Sequence, residues 1–346
     1  MIILIVLISL SVLILVHELG HFLTAKFFGV RVHEFGFGFP PKILGKKVGE
    51  TTYSLNLLPF GGFVKIHGED GEEIQDKRSF AVQSVGRRSV IVLAGVFMNV
   101  FLGWLILSAV FAIGSPRHLA IGGVGEMSPA NKANIKGGDV VLEATFNSLV
   151  LKDPIRVNEF IALVKEAGEN TVNLKIKRGD TIFDVSLRGR TNPPSGQGSL
   201  GLSLVEIGFA REPLLKSFAK GAIATFETLK MVSLGFLNFF SRLFVTPQII
   251  ETVTGPIGIF TLAAQAGSLG IVYLLELIAF ISINLAVLNL IPFPALDGGR
   301  FLFLLVEKIK GSPIPRKFQM VVNAIGFVAL IILMVIVTVK DITRIL

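Results

Sequence analysis

Cysteine is absent from the 346 residues, which excludes disulfide scaffolds, thiol nucleophiles and cysteine-type zinc sites. Any metal site must therefore be built from histidine and carboxylate. Charge is scarce too: 17% of the residues are Asp, Glu, Lys or Arg, against roughly 25% in a soluble globular domain. Hydrophobic residues fill the gap at 51%, and a mean hydropathy of +0.70 points to a membrane protein. The length allows two or three folding units, enough for a membrane body and a soluble insert. The net charge of +8 does not read as a nucleic-acid surface, because Lys and Arg are scattered and often stand beside acids. It reads instead as membrane orientation, with lipid as the partner and no nucleic acid.

Four long apolar stretches organise the chain. Residues 1–16 carry no charge, and the run resumes beyond His17, Glu18 and His21 towards Phe28; about 27 residues suffice to cross a bilayer. No basic leader or small-residue cleavage site precedes that cluster, so the segment is expected to stay in the mature protein. Residues 89–115 form an uncharged run between Arg88 and Arg117, 271–291 are apolar apart from Glu276, and 318–339 lie uncharged between Lys317 and Lys340. Residues 213–245, interrupted by Lys216, Lys220, Glu227, Lys230 and Arg242, fit an amphipathic helix resting in the lipid interface. Residues 253–270 hold Gly255, Pro256, Gly258, Gly267 and Gly270 and are expected to form a broken, shielded segment.

Loop charge orients the spans. The 28–88 loop carries nine Lys/Arg and the 292–320 loop five, so the positive-inside rule makes both cytoplasmic and puts 116–212 outside. The expected sections are 1–115 with the first two spans, 116–212 as an extracytoplasmic domain, 213–270 as the interfacial part, and 271–346 with the last two spans.

Within 116–212, alternating apolar residues at 121–127, 140–146, 172–176 and 183–187 predict strands, and 158–167 has helical spacing. SPANKANIKGGDVVLEA resembles the helix, turn and strand of a bacterial PDZ domain, departing at Asn134, where Gly is usual, and in FNSL, where Asn-Gly is common. The resemblance implies a peptide-carboxylate loop at Leu200, Gly201 and Leu202. The fold class expected is a polytopic α-helical membrane protein with four transmembrane helices, an inserted β-rich PDZ-like domain and a membrane-associated β element.

The chemistry sits inside the first span, where HELGH places His17, Glu18 and His21. Residues four apart on a helix share a face, so the two imidazoles can bind one metal, with Glu18 beside a metal-activated water. Three ionisable groups at that depth cost on the order of 2.5–3.5 kcal/mol each and demand a compensating partner, for which zinc is suited. Catalytic zinc takes three protein ligands. Of the other histidines, His118 falls outside, and His33 and His67 lie in a loop of unspecified geometry. Asp297 in NLIPFPALDGGR is the better third ligand. Pro292 and Pro294 end the helix, Gly298-Gly299 permits close backbone approach, and spans one and three run in the same direction. His17 lies roughly 24 Å along its helix, towards the side where Asp297 emerges.

HELGH in a first span, NxxPxPxLDG after the third and a PDZ-like insert between the second and third resemble the site-2 protease family of intramembrane zinc metalloproteases, of the bacterial regulator of sigma-E protease type. The resemblance covers essentially the whole chain and implies one Zn2+ per chain on His17, His21 and Asp297, with Glu18 as the general base. It also implies substrate handling by Asn284 and Asn289, and membrane-associated β elements at GFGF (36–39) and PFGGFVKI (59–66). Implied substrates are single-span membrane proteins, among them anti-sigma factors and remnant signal peptides, cut in a bacterial inner membrane at a site towards the cytoplasm. An unwound substrate needs backbone partners, and Gly61, Gly62, Phe63 and Val64 are expected to offer a sheet edge. Two other classes share this frame, a divalent-metal transporter and an inactive PDZ-bearing scaffold. The first needs polar residues through the outer leaflet, where 1–16 offers Ser9 and Ser11 alone, and the second has no use for Glu18.

Overall fold

The computed structural model describes residues 2–69, 76–179, 181–194, 196–208, 210–243, 245 and 255–345. Expectations for 246–254, within the interfacial section, fall outside the described residues. The chain divides into two compact units, one of residues 1–108, 218–263 and 276–346, the other of 109–217 and 264–275.

The first unit begins with α1 (Ile2–Phe27), whose uniformly apolar sequence leaves no polar face apart from the HELGH turn. The chain then enters β1 (Val32–Val48) and β2 (Thr51–Ile66), two long strands that fold back on themselves. Glu34–Phe37 of β1 faces Thr52–Leu55 on one side and Gly62–Lys65 on the other, while 42–48 pairs with 51–56. Among the described pairings, 62–65 therefore has neighbours on one side alone. Phe39, Ile43, Leu44, Leu57 and Leu58 are exposed on this sheet, an apolar surface that suits lipid better than water. α2 (Val85–Ile113) follows, another run with no charge after its first turn. A cluster of Phe22, Ala25, Val30, Val32, Ile66, Phe80, Ile91 and Leu304 packs these elements together with the later helix that carries Leu304.

The second unit carries β3 (His118–Val124), the short α3 (Pro129–Lys132), β4 (Val140–Phe146), β5 (Leu149–Lys152), α4 (Val157–Ala167), β6 (Thr171–Arg178), β7 (Thr181–Arg188) and β8 (Leu202–Ile207). The strands run in the order β7-β6-β4-β3-β8, with β5 on β4. Alternation sends Val172, Leu174 and Ile176 inward along β6, and these pack with Leu119, Ile121, Phe160 and Leu163 in one core. Asn134 and Asn147 adopt φ of 58° and 52°. Asparagine reaches the left-handed region more readily than other non-glycine residues, so Asn134 serves where glycine is usual and Asn147 opens the FNSL turn. Asp139, 1% exposed, accepts from Arg178 Nε and Nη2 at 2.7 Å each and pins the entrance of β4.

α5 (Leu214–Leu243) is amphipathic, exposing Leu215, Phe226 and Leu237 among others. Residues 256–269 do not form a broken segment: α6 (Pro256–Leu269) is continuous. Pro256 stands at its first position, where the missing N–H costs nothing, and the interruption falls instead at Gly270, with φ of 132°. α7 (Ile271–Leu290), α8 (Asp297–Lys310) and α9 (Arg316–Ile345) complete the chain. Among the described residues, four helices are long and apolar enough to cross a membrane, over Leu4–Phe27, Val85–Ile113, Ile271–Leu290 and Arg316–Thr343. A β-sheet-rich region interrupts them between the second and third.

Candidate metal centre

His17 and His21 stand one turn apart on α1, and both are 7% exposed. Their Nε2 atoms lie 3.2 Å from each other, and Asp297 Oδ2 lies 2.9 Å from the first and 3.3 Å from the second. Ligands bound at ~2.0–2.1 Å in tetrahedral geometry stand about 3.3 Å apart, so this triangle has the size of three vertices of a zinc site. Two imidazole nitrogens and a carboxylate oxygen form a donor set that zinc favours. Burial would raise the Asp297 carboxyl, but the hydrogen bonds of His17 and His21 outweigh it and hold the group below the ordinary carboxylate range.

Backbone requirements explain why these residues meet. Gly20 and Gly95 let α1 and α2 touch: a Cβ at Gly20 would strike Ala94 O, and one at Gly95 would strike the rings of His21 and His17. His21 Nδ1–H donates to Ile91 O at 2.8 Å on α2, which fixes that ring with Nε2 free for a metal. The approach to Asp297 is a tight turn. Ala295 takes φ of 72°, and its N–H donates to Asn323 Oδ1 at 3.2 Å. A Cβ at Gly298 would strike Ile291 O, one at Gly299 would strike Phe293 O, and Gly326 of α9 leaves room for Pro294. Arg88 anchors the far side of α8 through a two-pronged ion pair with Glu307, at 3.0 and 2.5 Å, with both side chains largely buried.

A cavity of about 270 Å³ opens beside the triangle, lined in part by Glu18, His21, Phe63, Val64, Asp297 and Arg300. Gly61 and Gly62 lie against α1 instead, where Cβ atoms would meet Ile14 and Leu15 at 3.3–3.4 Å. Asn289 Nδ2 reaches within 3.5 Å of His17 Nε2, whereas Asn284 donates to Phe280 O of its own helix at 2.9 Å. In the other unit, Leu200 is buried with its carbonyl accepting from Ala130 N–H at 3.2 Å, Gly201 O accepts from Gly125 N–H at 2.9 Å, and Leu202 opens β8 at the sheet edge. Sequence reasoning did not reach Ile91, Gly95, Asn99 or Asn323. The first three stand four residues apart on an uncharged span, and a small residue followed at that spacing by a polar one was the available signal of a close helix contact.

The family profile described as peptidase family M50 matches residues 5–333. The chain belongs to peptidase family M50, the site-2 proteases. A Clostridium perfringens protein named "Putative zinc metalloprotease" is 39% identical over 338 residues, covering 97% of each chain. A Synechocystis protein named in the same way is 34% identical over 342 residues, covering 96% of this chain and 92% of its own. The Bacillus subtilis "Regulator of sigma-W protease RasP" is 28% identical over 414 residues and covers 96% of each. The M50 match spans the HELGH helix, the β-rich unit and Asp297 alike.

Proposed function

We propose that the protein is an intramembrane zinc endopeptidase that hydrolyses peptide bonds within or near the membrane anchors of single-span proteins, anti-sigma factors and remnant signal peptides among them. One observation carries this reading: His17 Nε2, His21 Nε2 and Asp297 Oδ2 converge at metal-site distances, and Glu18 lines the adjoining cavity. Zinc bound there supplies Lewis acidity and lowers the pKa of a water towards ~7 where bulk water is scarce.

The chain's own residues supply the rest. Glu18, the general base, takes the water's proton on its carboxylate and returns it to the departing amide nitrogen. Asn289, close to the ligand triangle, is positioned to donate to a carbonyl oxygen as negative charge develops there; Asn284 is proposed to steer the substrate one turn away. A helical substrate must unwind to expose its peptide bond, and the freed backbone finds partners on the edge formed by Gly61, Gly62, Phe63 and Val64. The two glycines let that edge lie close to α1, while Phe63 and Val64 face the cavity. A metal-transport path through α1 would need polar groups along its first half, where residues 1–16 supply Ser9 and Ser11 alone.

The basic 28–88 and 292–320 loops support a cytoplasmic active site in a bacterial inner membrane, with the β-rich section outside. That section is read as PDZ-like, with Leu200, Gly201 and Leu202 receiving a peptide carboxylate beside the edge strand β8, and α5 is read as lying in the lipid interface. The deciding experiment incubates wild-type protein and Glu18→Gln, each carrying zinc, with a set of single-span substrates in lipid vesicles. Cleavage by the first and none by the second is expected. Equal cleavage by both, or none by either across the set, would overturn the assignment.

A further inference from the structure

Asn99 of α2 is 1% exposed. Its Nδ2 lies 3.4 Å from His17 Nδ1, while its Oδ1 is buried without a hydrogen-bond partner among the described residues. A buried amide oxygen left unpaired costs ~1–3 kcal/mol, and this orientation also sets a donor against His17. That contact is consistent with one tautomer only. For an N–H of Asn99 to donate to Nδ1, the imidazole hydrogen must sit on Nε2, and Nε2 is the atom that faces His21 and Asp297. Ligation through Nε2 demands the reverse, a hydrogen on Nδ1 and an acceptor to receive it.

Rotating the amide by 180° exchanges its oxygen and nitrogen with almost no change in shape. The exchange turns the contact into His17 Nδ1–H donating to Asn99 Oδ1, the arrangement that ligation through Nε2 requires. We propose that Asn99 is the positioning residue of the metal site, accepting from His17 Nδ1–H and thereby fixing both the tautomer and the plane of that ring. The arrangement on α2 supports it. Ile91, Gly95 and Asn99 recur every four residues on one face: Ile91 O holds the Nδ1 of His21, Gly95 makes room for both rings, and Asn99 meets the Nδ1 of His17. One helix face thus orients both imidazoles. Asn99 is itself held through its backbone, whose carbonyl accepts from the buried Ser282 Oγ–H at 2.8 Å.

The inference rests on zinc occupying the triangle of His17, His21 and Asp297. Its test is zinc affinity by chelator competition on the purified full-length chain, for wild type, Asn99→Leu, Asn99→Ala and Asn99→Asp. Partners behind a metal ligand are worth ~10–100-fold in affinity. Asn99→Leu and Asn99→Ala should weaken zinc by that factor, while Asn99→Asp, which keeps an acceptor at the same place, should stay within a few-fold of wild type. Thermal unfolding of each zinc-free chain reports folding separately, and Asn99→Ala carries the comparison if leucine is not accommodated. Wild-type affinity in the alanine variant overturns the proposal. So does an aspartate variant as weak as alanine, since the amide's donor would then be what matters. A wild-type chain that takes up no zinc at all would refute the metal site itself, an outcome distinct from either.

Discussion

Among the described residues, two clusters each bring together two histidines and an aspartate, and they are built differently. In the first, His17, His21 and Asp297 turn three ligand atoms towards one point, with separations of 2.9, 3.2 and 3.3 Å. In the second, His33 Nε2 meets His67 Nδ1 at 2.8 Å, and His67 Nε2 meets Asp76 Oδ2 at 2.9 Å. His67 uses both ring nitrogens in that chain, so the three residues form a line and offer no common vertex. The Arg78 backbone N–H and the ring of His67 hold the Asp76 carboxyl below its usual range, as expected of a carboxylate already engaged in hydrogen bonds. The same residue types thus converge on a candidate metal centre in one place and line up as a hydrogen-bonded relay in the other. The difference is whether lone pairs converge, which depends on backbone: a helix turn and a tight loop in the first case, strand and turn residues in the second.

The largest effect should come from the converging cluster. Asp297→Ala removes a ligand outright and should weaken zinc by more than the ~10–100-fold that an outer partner contributes, measured by chelator competition. Retention of zinc at wild-type affinity would mean that another group completes the site. An intermediate effect is expected at the neighbouring sheet edge. Val64→Pro deletes a backbone donor beside the cavity and should slow cleavage of single-span substrates by roughly 2- to 13-fold, the ~0.5–1.5 kcal/mol of one hydrogen bond, with zinc content unchanged. Unaltered kinetics in a folded variant would make 61–66 an ordinary hairpin strand. The smallest effect on the metal belongs to the linear cluster. His67→Ala should leave zinc affinity at the wild-type value and cost ~1–3 kcal/mol of stability from the broken relay, read by chemical unfolding; an affinity that falls with it would erase the contrast between the clusters.

How much of this was legible in the sequence differs between the same two places. HELGH announces itself because a helix turn is a local structure: four residues suffice to set two rings on one face. Asp297 followed from Pro292, Pro294 and the paired glycines, again local signals of a stop and a turn. The supporting shell was not legible, because Gly95, Asn99 and Asn323 acquire meaning only once helices distant in sequence are packed. The linear cluster was equally hidden, since the pairing of His33 with His67 depends on how β1 and β2 fold back. Glycine content misled at 256–269: with Pro256 at the start and the other glycines tolerated inside, a helix forms where a break was expected. In the β-rich unit, Asn134 looked like a departure from a turn pattern and takes the positive φ that glycine would have taken.

One zinc is expected to bind each chain, at the converging cluster and not at the linear one. Elemental analysis of purified protein tests it directly when applied to wild type, to the His33→Ala/His67→Ala double variant and to the His17→Ala/His21→Ala double variant. The predicted result is one zinc per chain in the first two and none in the third. Two zincs in wild type, loss of zinc with His33 and His67, or its retention without His17 and His21 would contradict the claim.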